Sequence, residues 1–303
     1  MSSPAATPPG AWKRLRKNPI AIVAAILLVT VFAFAVFGLN VFGIDPHATS
    51  NAQYSPPNSA HPFGTDVNGR DSFARVMEGA RISLLVGFCG AFIALFVGTT
   101  YGLISGYVGG RTDALMMRFV EILYAIPRLI ILILVTFIFD RHFKTWLNGI
   151  GLTGLVGYSK IIILIVSLGL IEWLTMARIV RGQVLALKSQ QFVLAARALG
   201  QSHTRIILRH LLPNLIGIVI IYLTLTIPAV ILDESFLSFL GLGVQAPQAS
   251  WGSLLSEGAQ VINPVKSYWW LLLFPASVMS VTLLALNFLG DALRDALDPR
   301  AKR

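Results

Sequence analysis

The sequence predicts an all-α integral membrane protein with six transmembrane helices. Of its 303 residues, 55% are hydrophobic and only 13% are charged, whereas soluble proteins carry about a quarter charged residues. Six apolar stretches separated by polar or basic segments can cross a bilayer as helices. They cover residues 19–44, 82–110, 117–139, 161–176, 211–232 and 267–290.

The first apolar stretch follows a segment, residues 1–18, that contains four basic residues and no acid. The 26 uncharged residues 19–44 are longer than the core of a signal peptide, and further spans follow them. We therefore interpret residues 19–81 as an uncleaved first transmembrane helix and the polar loop after it.

The polar loop before the second span contains Asp66, Asn68 and Asp71 among glycines. The side-chain oxygens of these three residues could suggest a calcium-binding loop, but the EF-hand spacing and its closing Glu are missing. We expect a capped turn that begins the next helix, and no metal site.

Three glycines in the second span, Gly98, Gly102 and Gly106, recur every four residues. In a membrane helix this spacing leaves a flat face against which another helix can pack closely. The pattern predicts helix packing first and a transport pathway only by extension.

Two residues in the third span, Glu121 and Arg128, are ionisable. A charge at membrane depth is a functional candidate by default. Glu121 lies near the span end and can reach the interface, whereas Arg128 lies near the middle. Arg128, and Pro228 in the last turns of the fifth span, are therefore candidates for the pathway or for helix packing.

Residues 173–232 contain no Asp or Glu, and a basic segment in them connects the fourth and fifth spans. Four positions at i, i+3, i+4 and i+7 fall on one face of a short helix, and the alanines in its middle would let another backbone approach closely. These positions are Phe192, Ala195, Ala196 and Leu199. Gly200 follows where a helix C-terminus favours a residue tolerant of positive φ.

A second short helix is expected to begin at Ser202, which can act as its N-cap. Its inner side would carry Ile206, Ile207, His210 and Leu211, and Pro213 would end the unit. Because Arg197, Arg205 and Arg209 surround this pair of helices, they form a candidate docking surface. The alternative is an amphipathic loop lying on anionic lipid.

Residues 233–267 mix apolar residues with Gly and Pro, and we expect them to fold against the helices. Residues 291–303 form a short tail. With six spans and a cytoplasmic N-terminus, sixteen of the 24 Lys and Arg residues fall on the cytoplasmic side and seven on the other, with Arg128 in the third span. This positive-inside bias predicts that both termini and the basic segment are cytoplasmic.

The sequence contains no phosphate-binding GxxxxGK[ST] loop, no GxSxG or HExxH motif, and no Cys/His cluster. A membrane-bound enzyme is therefore disfavoured, and no metal or cofactor is expected on this chain. The net charge of +10 would elsewhere suggest nucleic acid. Here the basic residues cluster at span ends, which indicates membrane orientation instead.

The basic segment resembles the EAA loop of ABC-importer permeases: Ala195, Ala196, Gly200 and Pro213 match, and Leu194 replaces the usual Glu. Further blocks resemble the oligopeptide/dipeptide/nickel branch of that family, and most closely the C-subunit permease of oligopeptide importers. They are HPFGTDVNGRD (61–71), GARISLLVG (79–87), TMARIVRGQVLALK (175–188), ESFLSFLGLGVQAP (234–247) and GDALRDALDPR (290–300).

The resemblance implies the type I ABC-importer permease fold, with a permease domain over residues 82–290 and a coupling loop over residues 177–213. It implies contact with the ATP-hydrolysing subunit through residues of that loop. These are Ala195, Ala196, Arg197, Gly200, Arg205 and Pro213. The weaker candidates for the pathway or for pairing with a second permease are Gly98, Gly102, Gly106, Arg128 and Pro228.

The resemblance also implies a multi-pass protein of the bacterial inner (plasma) membrane that imports oligopeptides by alternating access. Its partners would be a homologous second permease, two ATPase subunits that hold ATP and Mg²⁺, an extracytoplasmic peptide-binding protein and membrane lipid. Import of dipeptides or nickel by the same machinery is the alternative. Outside this class, an ion-driven secondary transporter would need buried acids, and Glu121 and Glu172 are its candidates.

Overall fold

The computed structural model describes residues 15–262 and 266–297. Most of the predicted N-terminal segment, and the tail beyond residue 297, lie outside these ranges. The helices of the described chain are α1 (Pro19–Phe42), α2 (Ser72–Val108), α3 (Gly110–Ala125), α4 (Arg128–Gly149), α5 (Ser159–Lys188), α6 (Gln191–Ala198), α7 (His203–Phe239), α8 (Trp251–Gln260) and α9 (Trp270–Leu297).

Five of these helices, α1, α2, α5, α7 and α9, are long and apolar enough to cross a membrane. Helices α3 and α4 meet at an angle of 85° and add a sixth crossing if they form one broken span. Helices α2 and α5 form the central pair, α7 packs across both, and α9 packs against both α7 and α1. The predicted six-span architecture is therefore met only when the bent pair counts as one span.

The bend between α3 and α4 was not predicted, and it breaks the third span, which was expected over residues 117–139. Ile126 has extended backbone angles (φ −87°, ψ 128°) immediately before Pro127, because the proline ring disfavours helical geometry in the residue that precedes it. Helix α4 then continues to Gly149, so most of the loop expected at residues 140–160 is helical.

Helix α2 begins ten residues before the predicted start of the second span. Asp71 caps it by accepting a hydrogen bond from the Ala74 amide at 2.9 Å, which confirms the capped turn. Within this longer helix, Arg75 is buried because Asp66 (2.9 Å) and Glu257 pair with its guanidinium. Hydropathy could not reveal this compensation, since both acids lie outside the apolar run.

Glycines 98, 102 and 106 all lie where α2 crosses α5. A Cβ atom added at Gly102 would stand 2.5 Å from the carbonyl oxygen of Ala177, well inside van der Waals contact. Similar close approaches to α5 occur at Gly98 and Gly106. The spacing of these glycines is therefore required by contact between two helices of the same chain.

We expect Gly102→Ala to force α2 and α5 apart and to destabilise the protein by about 1–3 kcal/mol, the usual cost of overpacking. The matched control is Gly217→Ala in α7, where no atom lies within 4 Å of an added Cβ. Thermal unfolding of both variants in the same detergent measures the difference. Equal stability of the two would contradict the packing assignment.

The late loop folds against the helices, as predicted. Trp251 at the start of α8 is completely buried, and Ser250 caps that helix through Ser253. However, α7 continues to Phe239, beyond the predicted span end at Leu232. The acids after that point are tolerated because they find partners. Glu234, for example, accepts a hydrogen bond from Ser83 at 2.8 Å.

Candidate functional site

The basic segment, residues 189–213, is shorter than the predicted loop 177–213 because α5 continues to Lys188. Its sharp corner is Gly200, at φ +72°. The Gly200 amide donates to the Arg197 carbonyl (2.9 Å), and the Gln201 amide donates to that of Ala196 (3.1 Å). This is a Schellman ending, and it confirms that a residue tolerant of positive φ is required at Gly200.

The buried side of the basic segment is anchored in the largest apolar cluster of the described chain. Val193 and Ile206 are completely buried there, together with side chains of α2 and α5. Leu211 is also buried, so the predicted inner side of the second short helix is confirmed at Ile206 and Leu211. The segment therefore cannot move independently of α2 and α5.

The face of α6 that the sequence marks for close approach of another backbone is exposed, except at Ala196. Phe192, Ala195 and Leu199 are exposed, and Val193 with Ala196 faces the core instead. Nearly every position of this short helix is apolar, so periodicity could not distinguish the two faces. Ala196 packs inside this chain and is not available on its surface.

The outer side of the basic segment combines exposed apolar and basic groups. Leu199 is 80% exposed and Leu194 50% exposed, and Arg197 and Arg205 are exposed beside them. An exposed apolar patch with a polar rim is typical of a surface that another protein covers. We call this outer side the docking face.

Tyr107, at the end of α2, links the basic segment to the central helix pair. Its hydroxyl lies 2.8 Å from Nδ1 of His203, and the Arg197 guanidinium stands 5.5 Å from the centre of its ring. Lys188 Nζ donates to the Tyr107 carbonyl oxygen at 2.5 Å. Sequence reasoning missed Tyr107, because no motif marks it and its partners are about 80 to 100 residues away.

Pro213 does not end the second short helix, contrary to the prediction, and α7 continues through it. A π-helical turn, Ile207–Leu211, precedes the proline, and such a turn changes the backbone pairing where an amide is missing. The Leu212 amide donates to the carbonyl of Ile207, and the Asn214 side chain donates to that of His210 at 2.6 Å.

A second group of polar side chains meets at the bend between α3 and α4. Arg128 donates to Glu172 of α5 at 3.3 Å and to Asp233 of α7 at 2.8 Å. The sequence predicted a loop from residue 233, but Asp233 lies inside α7, which continues to Phe239. We call these three residues the charged cluster.

The other pathway candidates lie elsewhere in the fold. Pro228 and glycines 98, 102 and 106 are buried within the chain, whereas Arg128 is exposed. Glu121 pairs with Arg118 at 3.1 Å on α3. Over the described residues, no three His, Cys, Asp or Glu side chains come together in a way that could hold a metal ion.

Comparison with protein families places these features in a known class. The family model described as "Binding-protein-dependent transport system inner membrane component" matches residues 98–303. The model of the "N-terminal TM domain of oligopeptide transport permease C" matches residues 10–60. The chain belongs to the family of binding-protein-dependent inner-membrane transport components, and it is a multi-pass protein of the bacterial inner membrane.

Curated relatives are similar over nearly the whole chain. The dipeptide transport permease DppC of Bacillus subtilis is 44% identical, with 97% of this chain and 86% of the relative covered. The oligopeptide transport permeases OppC of Haemophilus influenzae and Escherichia coli K12 are each 44% identical, with 96% of this chain and 88% and 90% of the relatives covered.

Solved structures agree with the predicted fold. A chain of the MetNI methionine ABC transporter, solved in inward-facing conformations, has a TM-score of 0.56 at 18% identity. The match covers 73% of this chain and 94% of that chain. At this identity the likeness concerns the fold alone, which is the type I permease fold of ABC importers.

Proposed function

We propose that this chain is a permease subunit of an ATP-binding-cassette importer that moves oligopeptides across the inner membrane by alternating access. The observation that carries the proposal is the docking face. It is apolar and basic on its outer side, and buried side chains hold its inner side to the two central helices. Such a unit can transmit movement from a soluble partner to membrane helices.

The path of this movement follows the contacts of the basic segment. A shift of the basic segment acts on α2 and α5 through Val193 and Ile206 in the core, and on the end of α2 through the contact of His203 with Tyr107. Close packing at Gly102 makes α2 and α5 move as one body. The partner would thereby tilt the central pair and open the pathway on alternate sides.

The energy source would be ATP hydrolysis in other subunits. Two ATPase subunits, each holding ATP and Mg²⁺, would contact the permeases, since this sequence has no phosphate-binding loop of its own. In this proposal the chain is not an enzyme and binds no cofactor. Leu194, Ala195, Arg197 and Arg205 would contact the ATPase, and Gly200 would set the angle of the surface.

The remaining partners would be a homologous second permease, an extracytoplasmic peptide-binding protein and membrane lipid. The excess of Lys and Arg on one side supports cytoplasmic termini and a cytoplasmic docking face. The loop between α1 and α2 and the segment containing α8 then lie on the opposite side, where a binding protein would deliver its cargo.

Oligopeptides are the proposed cargo because motif blocks 175–188 and 234–243 resemble the oligopeptide branch most. Relatives named for oligopeptide and for dipeptide transport are both 44% identical to this chain. Dipeptide import is therefore the second candidate, and nickel import by the same machinery is a third.

The test is uptake of a labelled pentapeptide into proteoliposomes that contain the complex purified from its native membrane. We expect uptake to require ATP and the binding protein. Unlabelled oligopeptides should compete with the labelled pentapeptide for uptake, whereas Ni²⁺ should not. Uptake by this chain alone under a proton or sodium gradient would overturn the proposal and indicate a secondary transporter.

A further inference from the structure

The charged cluster is unbalanced, because one guanidinium faces two carboxylates. Arg128 is the accessible member: its side chain is 55% exposed, against 14% for Glu172 and 9% for Asp233. Oxygen Oδ2 of Asp233 is buried and has no hydrogen-bond partner within residues 15–262 and 266–297. A buried carboxylate oxygen without a donor is costly, so a further cationic or donor group is favoured here.

The cluster lies within predicted membrane spans. Arg128 and Glu172 fall inside the apolar stretches 117–139 and 161–176, which the sequence predicts to cross the bilayer. A half-exposed arginine at this depth cannot face hydrocarbon and must face protein or a water-filled cavity. The exposed side of the cluster therefore marks an inner surface of the assembled transporter.

The polar surface continues along α5 beyond the cluster. The hydroxyl of Thr175 lies 2.6 Å from that of Tyr124, and the Arg178 guanidinium stacks 3.8 Å from the centre of the Tyr124 ring. Glu172, Thr175 and Arg178 follow one another at intervals of three and share one side of the helix. This polar stripe spans about two helical turns, which is more than an isolated buried ion pair requires.

We propose that this stripe lines the transport pathway and that the charged cluster binds the α-ammonium end of a peptide in transit. The inference rests on the proposed function as a peptide permease. An ammonium group supplies the positive charge and the three donors that the two carboxylates lack. Because every unmodified peptide carries this group, such a site can handle cargo regardless of its side chains.

The first test measures whether water and charge reach the stripe. The single cysteine of the chain is first removed by Cys89→Ser, and Thr175→Cys is then introduced. The complete complex with both changes is treated with cationic and anionic methanethiosulfonates of equal size. We expect reaction from water, protection by transported peptide, and faster reaction of the cation. Glu172→Gln should lower the cation-to-anion ratio roughly tenfold, since one unit charge about 6 Å away in water changes each rate roughly threefold.

The control for accessibility is Phe96→Cys on α2, because Phe96 is 72% exposed among other apolar side chains. A cysteine in a dry environment should not react with either charged reagent. If the cysteine at position 175 is equally inert in every nucleotide state, the stripe does not line an aqueous pathway and the proposal is overturned.

The second test measures uptake by Glu172→Gln and by Asp233→Asn in the complete complex. At low peptide concentration we expect roughly tenfold slower uptake by each variant, the effect of losing one charge-assisted hydrogen bond. The matched control is Glu121→Gln, which removes an exposed carboxylate paired only with Arg118 among the described residues. Two variants are used because Asp233→Asn alone could impair folding.

The two proposals fail in different ways. ATP-independent uptake by the unmodified complex would overturn the proposed function. Normal ATP-driven uptake by Glu172→Gln and Asp233→Asn, equal to that of Glu121→Gln, would overturn only the binding site, and the cluster would then be a contact with the second permease.

Discussion

Replacing Gly200 with proline is expected to abolish ATP-driven peptide uptake while leaving the chain inserted in the membrane. Gly200 has a φ of +72° and its amide donates to the Arg197 carbonyl. Proline fixes φ near about −65° and has no amide hydrogen. The corner between α6 and α7 would be rebuilt, and the docking face would lose its angle to α2 and α5.

The control separates backbone geometry from side-chain size. No atom lies within 4 Å of a Cβ built at Gly200, so space does not limit substitution. Asparagine adopts left-handed geometry more readily than other non-glycine residues, and Gly200→Asn should retain most of the uptake. Measurements of uptake, ATPase activity and subunit co-purification distinguish uncoupling from failed assembly. If Gly200→Pro takes up peptide at the wild-type rate, the assignment of this corner to coupling with the ATPase is contradicted.

The number and order of the apolar helices could be predicted because hydropathy alone determines which segments enter a bilayer. The ends of the helices could not be predicted, because several helices extend past their apolar runs into segments that contain charged residues. Arg75 and Asp233 are tolerated inside α2 and α7 since each has a partner from another part of the chain. Such compensation depends on tertiary contacts, and a local reading of the sequence contains no sign of it.

In the candidate site, too, some features could be predicted from the sequence and others could not. The turn at Gly200 follows from local backbone chemistry and was predicted. The buried face of α6 was not, because apolar residues surround that helix on nearly all sides. The charged cluster joins Arg128 to Asp233 across 105 positions, and the bend before Arg128 brings them together. The sequence shows Pro127 directly before Arg128, but it does not show which carboxylates pair with Arg128.

The second large effect is expected from a comparison of two variants of α6, in which glutamate replaces either Val193 or its neighbour Leu194. Val193 is completely buried in the cluster that holds the basic segment, whereas Leu194 is half exposed on the docking face. Val193→Glu buries an unpaired carboxylate, at a cost of several kcal/mol, unless α6 detaches from the core. We therefore expect this variant to lose uptake almost completely.

Leu194→Glu should retain uptake, because its carboxylate can remain in water and because the EAA loop that this segment resembles has Glu at the matching position. Both variants add the same charge to the same helix, so an effect of negative charge on partner binding would impair Leu194→Glu, on the docking face, at least as strongly as Val193→Glu. Uptake and cleavage by protease near α6 are measured together, since detachment should expose that segment only in Val193→Glu. If both variants lose uptake to the same degree without new cleavage, charge at the docking face is decisive and the buried anchor is not. If Val193→Glu alone fails, attachment of α6 to α2 and α5 is what transmits ATP-driven movement into the membrane.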